Sequence, residues 1–297
     1  MNADKFIITA MKHTNSTDTA SVSPRVFLIL PAFNEEECLP SMFSRLAKLP
    51  RLGSGLEVLV VDDGSSDDTA KIAMAGHPDL SVRLIQHFQN RGLGKAMQTG
   101  IQQASRLAGP EDVIIAMDAD DTHDVGLMAK MLDEIASGAD VVIASRFVDG
   151  GDDTSAPPFR RLLSRGASVV FNTLIRVDGV KDFTCGYRAY RASLLQNASR
   201  HWGDRLVEEQ GFACMVEILL KLRFWNPDTR EIPMTLRYDR KMSVSKLRLF
   251  KTIGQYIKLC LRDRVTPEPC ETPVRVYNSK TDTIEVQPSI QDAAVHA

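Results

Sequence analysis

The 297-residue sequence has few cysteines, almost no net charge and no long apolar run, and each shortage excludes a class of protein. Its five cysteines are odd in number, widely spaced and form no C-x-x-C pair, which favours a reduced compartment over a disulfide scaffold. The net charge of −2 gives no general attraction to nucleic acid. No apolar stretch has the length of a membrane-spanning helix or of a signal peptide. We therefore expect an intracellular protein that is not integral to a membrane and binds no nucleic acid.

What is present is an ordinary globular composition, with 43% hydrophobic and 25% charged residues. Residues 1–24 are polar and rich in Ser and Thr, which predicts a disordered N-terminal extension. Residues 265–297 contain prolines and polar residues, which predicts a disordered tail. The predicted folded domain is therefore 25–264.

Short apolar runs alternate with helical patterns along the first half of this domain. The runs are 26–30, 57–61, 82–85, 113–117 and 141–144. Strands that alternate with helices predict an α/β fold with a doubly wound, mainly parallel sheet. Ligands of such sheets bind beyond the carboxyl ends of the strands, and the polar clusters of this sequence follow those ends.

The most informative cluster is V-I-I-A-M-D-A-D, in which a buried strand leads into Asp118, Ala119 and Asp120. Residues i and i+2 of a strand share a face, so both carboxylates can approach one point. Carboxylate oxygens suit Mg²⁺ or Mn²⁺, and magnesium completes its shell with water and substrate phosphates. The pattern thus predicts a site for a metal-bound nucleoside diphosphate, although aspartates after a strand also serve as turn or cap residues.

Two motifs resemble signatures of other protein classes, but the rest of the sequence excludes those classes. Gly92 and Gly94 resemble part of a dinucleotide-binding motif, but Met97 stands where the third glycine would be, and no Walker G-x-x-x-x-G-K is present nearby. The V-V-D-D that ends at Asp63 is also found in phospho-receiver domains. Such a domain ends after one ordinary domain length, whereas this chain continues with further charged motifs.

Two segments of the second half are amphipathic. Helices near 159–175 and 246–264 combine apolar residues with Arg and Lys, which is typical of helices that lie on a membrane surface. A helix that packs on the core and exposes its polar face is an equally good interpretation.

Taken together, the motifs resemble those of a known family. They are P-A-F-N-E, V-V-D-D-G-S, R-G-L-G-K-A, M-D-A-D, S-R-F, C-G-Y-R-A-Y-R, G-F-A-C-M-V-E-I-L-L and S-K-L. In this order they resemble the family 2 glycosyltransferases of GT-A fold, and within them the dolichol-phosphate and polyprenyl-phosphate mannose synthases. The resemblance covers about residues 26–262 and implies a Rossmann-like GT-A domain with a C-terminal amphipathic helix.

The resemblance implies a role for each matching position. The nucleotide sugar would be bound by Pro31, Phe33, Glu35, Val61, Asp63, Asp118, Ala119, Arg240 and Lys246. The metal would be held by Asp118, Asp120 and Thr122, the last at a position where the family commonly has Gln. The acceptor phosphate would contact Arg146, Arg160 and Ser164. Catalysis would rest on Asp120, Arg146 and Arg240.

The predicted activity is an inverting transfer of a hexose, mannose from GDP-mannose, to a polyprenyl or dolichyl phosphate at the cytoplasmic face of a membrane. An acceptor phosphate is mostly dianionic at neutral pH and needs positioning rather than a strong base. A sugar hydroxyl as acceptor would need a carboxylate base, for which Glu208 and Glu209 are candidates. We prefer to read this pair as the acidic start of a helix. The alternatives are another donor such as UDP-glucose with the same lipid, a hydroxyl acceptor, and a nucleotide-binding protein without turnover.

Overall fold

One seven-stranded sheet organises the protein, whose computed structural model describes residues 23–174, 177–240, 249–263, 274–278 and 283–287. The strands are β1 Arg25–Ala32, β2 Gly55–Asp62, β3 Ser81–Gln86, β4 Val113–Ala116, β5 Val141–Ser145, β6 Arg188–Arg191 and β7 Thr229–Pro233. Their order is β3-β2-β1-β4-β6-β5-β7. Strand β6 is antiparallel to β4 and β5, and the other pairs are parallel. The predicted mainly parallel α/β sheet is confirmed.

Eight helices complete the described part of the fold. They are α1 Leu39–Ala47, α2 Thr69–Ala75, α3 Leu93–Leu107, α4 Leu127–Ala136, α5 Pro158–Leu174, α6 Ala192–Trp202, α7 Ala213–Leu222 and α8 Leu249–Asp263. Their apolar faces and the strands form one buried core. Helices α5 and α8 correspond to the two predicted amphipathic segments. No helix within the described ranges is both long enough and apolar enough to cross a bilayer.

Strand β1 continues through Pro31, beyond the apolar run 26–30 that predicts it. It runs to Ala32 because Pro31 pairs on one side only, with Val61 of β2. The pairing with β4 ends two residues earlier, at Ile29 opposite Ala116. Proline lacks the N–H that a second neighbour would require, so it is tolerated at this position.

The helix predicted to open at Glu208 begins at Ala213 instead. The fully buried carboxylate of Glu217 accounts for the difference, because its Oε2 accepts the backbone N–H groups of Glu208 at 2.8 Å and Glu209 at 2.7 Å. Those N–H groups are thereby satisfied outside a helix. The acidic pair precedes α7 by several residues and is not its first turn.

The Gly- and Ser-rich loop after β5 is joined to the segment that follows β7. The Asp152 N–H donates to Met234 O, and the Leu236 N–H donates to Asp152 O, both at 2.9 Å. The Ser155 hydroxyl also donates to Leu236 O and accepts the N–H of Tyr238. These bonds fix the course of residues 234–238 across the end of the sheet.

Most of the predicted terminal segments, including residues 1–22, lie outside the described residues. Within 265–297 the structure describes an antiparallel pair of strands, β8 Val274–Asn278 and β9 Thr283–Gln287. Disorder of the rest of that segment stays a prediction.

Candidate active site

The loops after β1 and β2 interlock at the carboxyl edge of the sheet. Asn34, at φ +51°, donates its N–H to Ser65 Oγ at 2.9 Å and accepts the Ser66 N–H on its side-chain oxygen at 2.9 Å. The Glu35 N–H donates to Thr69 Oγ1 at 2.8 Å. The P-A-F-N-E and D-D-G-S motifs are therefore two halves of one polar surface.

Asp63 fixes the chain that leads into α3. Its Oδ1 accepts the Arg91 N–H at 2.9 Å and lies 2.7 Å from His87 Nδ1, and its Oδ2 accepts the Gly92 N–H at 2.7 Å. Gly92, at φ +89°, lies in a backbone region that favours glycine and ends this turn. The carboxylate thus orients the N-terminus of a 15-residue helix toward the space above the sheet.

The second glycine of R-G-L-G-K is required by a close approach between segments. A Cβ atom added at Gly94 would lie 2.0 Å from the backbone oxygen of Glu209, far inside any real contact. The first turn of α3 therefore lies directly against the segment that leads into residues 210–212, and the two form adjoining walls of one cavity.

We expect Gly94→Ala to weaken nucleotide binding strongly, because the backbone at Glu209 must move to admit the methyl group. Overpacking of this type costs about 1–3 kcal/mol of folding free energy. Nucleotide affinity and the thermal unfolding midpoint measure the two effects. The matched control is Gly254→Ala on α8, where an added Cβ meets nothing within 4 Å. Equal nucleotide affinity in both variants would contradict the assignment of this wall.

The D-A-D motif follows β4 and reaches the centre of the site. The carboxylates of Asp118 and Asp120 line both cavities described below. Oδ1 of Asp120 accepts the Thr122 hydroxyl at 2.7 Å and the Thr122 N–H at 3.2 Å, so Thr122 orients this carboxylate. Within the described residues no group of three His, Cys, Asp or Glu side chains could hold a metal alone. Two carboxylates and a hydroxyl fit Mg²⁺ or Mn²⁺ when a substrate diphosphate supplies further oxygens.

Asp121, the residue after the D-A-D motif, turns away from both cavities. It adopts φ +63°, is buried, and forms an ion pair with Arg45 of α1. The Ser41 hydroxyl also donates to its Oδ2 at 3.3 Å. The ion pair with Arg45 ties the turn after the D-A-D motif to α1, and local sequence does not reveal this contact.

The first cavity has a volume of about 990 Å³, which is large enough for a nucleotide sugar. Of the residues predicted to bind the nucleotide sugar, it is lined by Pro31, Phe33, Glu35, Asp63, Asp118 and Ala119. Val61 does not line it, because its side chain is fully buried beneath α3. The remaining wall comes from the start of α3, with Arg91 and Lys95, and from Gln210, Phe212 and Gln255.

A second, smaller cavity of about 60 Å³ adjoins the first. It contains all three residues predicted for the acceptor phosphate, Arg146, Arg160 and Ser164, and is further lined by apolar and aromatic side chains. Asp118, Asp120, Arg160 and Phe212 line both cavities. The two binding spaces therefore meet at the D-A-D motif.

Arg146 is held rigidly by a buried aspartate. Its Nε and Nη2 donate to the two oxygens of Asp182 at 2.8 and 2.7 Å, and Nη2 also donates to Thr184 Oγ1 at 2.7 Å. Burial alone lowers the pKa of Arg146, but the charge and hydrogen bonds of Asp182 outweigh it and raise that pKa. Burial alone raises the pKa of Asp182, and Arg146 reverses this and lowers it. Both groups therefore stay ionised, and the guanidinium keeps a fixed direction.

Glu208 and Glu209 lie among cations and line neither cavity. Lys221 Nζ lies 3.0 Å from Glu208 Oε2, and Lys258 Nζ lies 3.0 Å from Glu209 Oε1. Partial burial raises the pKa of Glu208, but Lys221 and Arg205 outweigh it, so the net pKa is lowered. A carboxylate with a lowered pKa is a weaker base at neutral pH.

Lys246 and the side chain of Arg240 lie outside the described residues, so their predicted roles stay predictions. The structure adds several cavity residues that the sequence did not single out: Arg91, Lys95, Gln210, Phe212, Tyr238, Gln255 and Tyr256. Arg91 and Lys95 belong to the R-G-L-G-K motif, so the sequence did contain a signal for these two. Phe212 is in the G-F-A-C-M-V-E-I-L-L motif, and Gln210 lies two residues before Phe212, whereas Tyr238, Gln255 and Tyr256 come from distant segments that carry no local motif.

Comparison with known proteins gives consistent results. The sequence profile of glycosyl transferase family 2 matches residues 27–198. The chain is 32% identical to the dolichol-phosphate mannosyltransferase of Pyrococcus furiosus, over 79% of this chain and 62% of that protein. It is 32% identical to the polyprenol monophosphomannose synthase of Mycolicibacterium smegmatis, over 77% of this chain and 84% of that protein. The chain thus spans less than two thirds of the Pyrococcus protein.

Among solved structures, the fold matches glucosyl-3-phosphoglycerate synthase from Mycobacterium tuberculosis with Mn²⁺, UDP-glucose and phosphoglyceric acid. The TM-score is 0.58 at 18% identity, and the match covers 90% of this chain and 87% of that one. Another structure of that enzyme contains Mg²⁺ and UDP.

Proposed function

Since the chain belongs to glycosyl transferase family 2 and is a glycosyltransferase of GT-A fold, we propose that it transfers mannose from GDP-mannose to a polyprenyl or dolichyl phosphate. The observation that carries this proposal is the meeting of two cavities at Asp118 and Asp120. One is large enough for a nucleotide sugar, and the other presents two arginines. Named relatives that act on lipid phosphates support the same acceptor class.

In the donor cavity, the interlocked loops after β1 and β2 bind the nucleoside. Asp118 and Asp120 would hold Mg²⁺ or Mn²⁺, and the metal would supply positive charge that neutralises the departing nucleoside diphosphate. Arg91, Lys95 and the N-terminus of α3 line the same cavity and favour an anion there.

In the acceptor cavity, Arg146 and Arg160 bind the lipid phosphate, with Ser164 as a further hydrogen-bond partner. Arginine suits this task because its planar donors match phosphate oxygens. A dianionic phosphate oxygen attacks the sugar from the side opposite the leaving diphosphate, which inverts the anomeric centre. No enzyme base is needed, which agrees with the absence of Glu208 and Glu209 from both cavities.

The outward faces of α5 and α8 support contact with a membrane surface. Phe159, Leu162 and Val169 of α5 are 60%, 69% and 65% exposed. Ile257 and Leu261 of α8 are 57% and 61% exposed. The inner faces pack together, with Phe171 edge-on to Tyr256 at 5.3 Å between ring centroids. An apolar face turned outward on two adjoining helices suits insertion among headgroups at the cytoplasmic face of a bilayer.

We expect Ile257→Ser together with Leu261→Ser to release the protein from anionic liposomes. The two side chains are exposed, so folding and nucleotide binding should persist while apolar contact is lost. Wild-type binding should weaken with rising salt, since each Lys or Arg near anionic lipid adds roughly 1 kcal/mol. Liposome co-sedimentation at low and high salt measures both effects.

The contrasting control for this experiment is Leu259→Ser, because Leu259 is on the same helix but buried. It should lower thermal stability, whereas the double variant should not. A wild-type protein that ignores anionic liposomes at low salt would argue against a lipid acceptor.

One screen tests the proposal against its alternatives. GDP-mannose, UDP-glucose and other nucleotide sugars are each offered with polyprenyl phosphate or with a soluble sugar acceptor. Transfer from UDP-glucose to the lipid would replace the proposed donor, and transfer to a hydroxyl would replace the acceptor class. Nucleotide binding without any transfer would leave only a binding protein.

A further inference from the structure

The guanidinium of Arg160 lies between two aromatic rings at the junction of the cavities. Its Cζ lies 5.4 Å from the ring centroid of Phe212 and 5.5 Å from that of Tyr238. Nη1 also donates to the Tyr238 hydroxyl at 3.3 Å. All three residues line the smaller cavity, and Arg160 and Phe212 line the larger one as well.

Each ring is held by backbone contacts that do not involve the Arg160 side chain. Tyr238 donates its N–H to Ser155 Oγ at 3.1 Å, within the segment joined to the loop after β5. Phe212 follows Gly211, at φ +64°, and the preceding Gln210 O accepts a hydrogen bond from Gln255 of α8 at 2.7 Å. The rings therefore keep their places independently of Arg160.

Arg160, by contrast, is in the first turn of α5, next to the exposed Phe159. A long arginine side chain at such a position has many rotamers, and ordering it for an anion costs up to about 2 kcal/mol of conformational entropy. Contact with aromatic faces offsets that cost before any ligand arrives, because the rings attract a cation over their faces.

We propose that Tyr238 and Phe212 are positioning residues that fix the Arg160 guanidinium at the junction, ready for the phosphate of the acceptor. The identity of the anion rests on the proposed function, whereas the fixed place of the guanidinium does not. The Tyr238 ring contributes more than its hydroxyl, because a 3.3 Å bond to a neutral hydroxyl is long. Loss of either ring should therefore weaken acceptor binding, because Arg160 would no longer be ordered before the acceptor binds.

The test compares Tyr238→Leu, Tyr238→Phe and Phe212→Leu, with Phe224→Leu as control. Phe224 is an exposed aromatic residue that contacts His201 and Trp225 and lines neither cavity. NMR relaxation of the Arg160 side-chain Nε–H reports its order. In Tyr238→Leu we expect this order to fall and the KM for polyprenyl phosphate to rise about tenfold, the size of a partly desolvated cation–π contact. Tyr238→Phe should show a smaller rise, and the control should show neither change.

A double-mutant cycle separates positioning from a general structural effect. In an Arg160→Ala background, Tyr238→Leu should leave the acceptor KM where Arg160→Ala has put it. An equal further rise there, or an unchanged Arg160 order in Tyr238→Leu, overturns the inference. If Tyr238→Leu does not fold, Phe212→Leu carries the same test, with the same expected fall in Arg160 order and rise in acceptor KM. If the wild type binds nucleotide but transfers nothing to polyprenyl phosphate, the proposed function fails, and the NMR measurement still decides this inference.

Discussion

Replacing Asp120 with alanine should reduce sugar transfer by about a thousandfold or more, and should weaken binding of a nucleoside diphosphate in the presence of Mn²⁺ or Mg²⁺. Asp120 lines both cavities, and its carboxylate is oriented by Thr122. The variant removes a hard oxygen ligand at the point where negative charge must be neutralised. Transfer assays and titration with GDP and Mn²⁺ measure the two effects.

The matched control for this substitution is Asp124→Ala, in the same acidic run. Asp124 is exposed, its Oδ1 accepts the nearby Gly126 N–H at 3.0 Å, and it lines neither cavity. Its loss should therefore leave turnover close to that of the wild type. Full activity of Asp120→Ala, or of the wild type in excess chelator, would rule out a metal-dependent transfer.

Replacing Arg160 with alanine should raise the acceptor KM by about 10- to 100-fold, the cost of losing a charge-assisted hydrogen bond.

Glu208→Gln and Glu209→Gln should each keep appreciable activity, because neither side chain lines a cavity. The lowered pKa of Glu208 keeps its carboxylate ionised at neutral pH. Any contribution of this carboxylate to the free energy of unfolding is lost only as the pH falls through that lowered pKa. Steady-state kinetics with lipid phosphate and with a soluble sugar acceptor measure the difference.

The opposite pattern of activities would identify a different class of acceptor. If a glutamine variant is inactive while Arg160→Ala is near normal, the acceptor is a hydroxyl that needs a base. The family and the fold would be unaffected by that result, and only the acceptor class would change.

The sequence predicted the features that local pattern determines. Apolar runs located strands β1 to β5, and the polar residues after β1, β2, β4 and β5 meet at one edge, as parallel strands require. The resemblance to family 2 glycosyltransferases is confirmed by the family match and by relatives at 32% identity. Its assignments to individual residues stay predictions, although most of the described ones line the two cavities.

The sequence did not predict the features that depend on contacts between distant residues. The start of α7 is delayed by Glu217, whose carboxylate lies nine positions beyond the first N–H group it accepts. Asp121 turns toward Arg45, which is far along the chain. The rings on Arg160 come from two separate segments. Each is a tertiary contact, and neither periodicity nor composition contains information about it.

The antiparallel strand β6 separates the two strands that lead to the D-A-D motif and to Arg146. It lies between β4, which ends two residues before Asp118, and β5, which ends one residue before Arg146, with Arg188 paired to both Ala116 and Ile143. Neighbouring strands are about 4.8 Å apart, so one inserted strand puts the two ends roughly 10 Å from each other. The topology of the sheet thus sets the spacing between the D-A-D motif, on the proposed donor side, and Arg146, on the proposed acceptor side, and the sugar must be held within this spacing for in-line attack. Mutations that shift β6 would change this spacing without contacting either substrate.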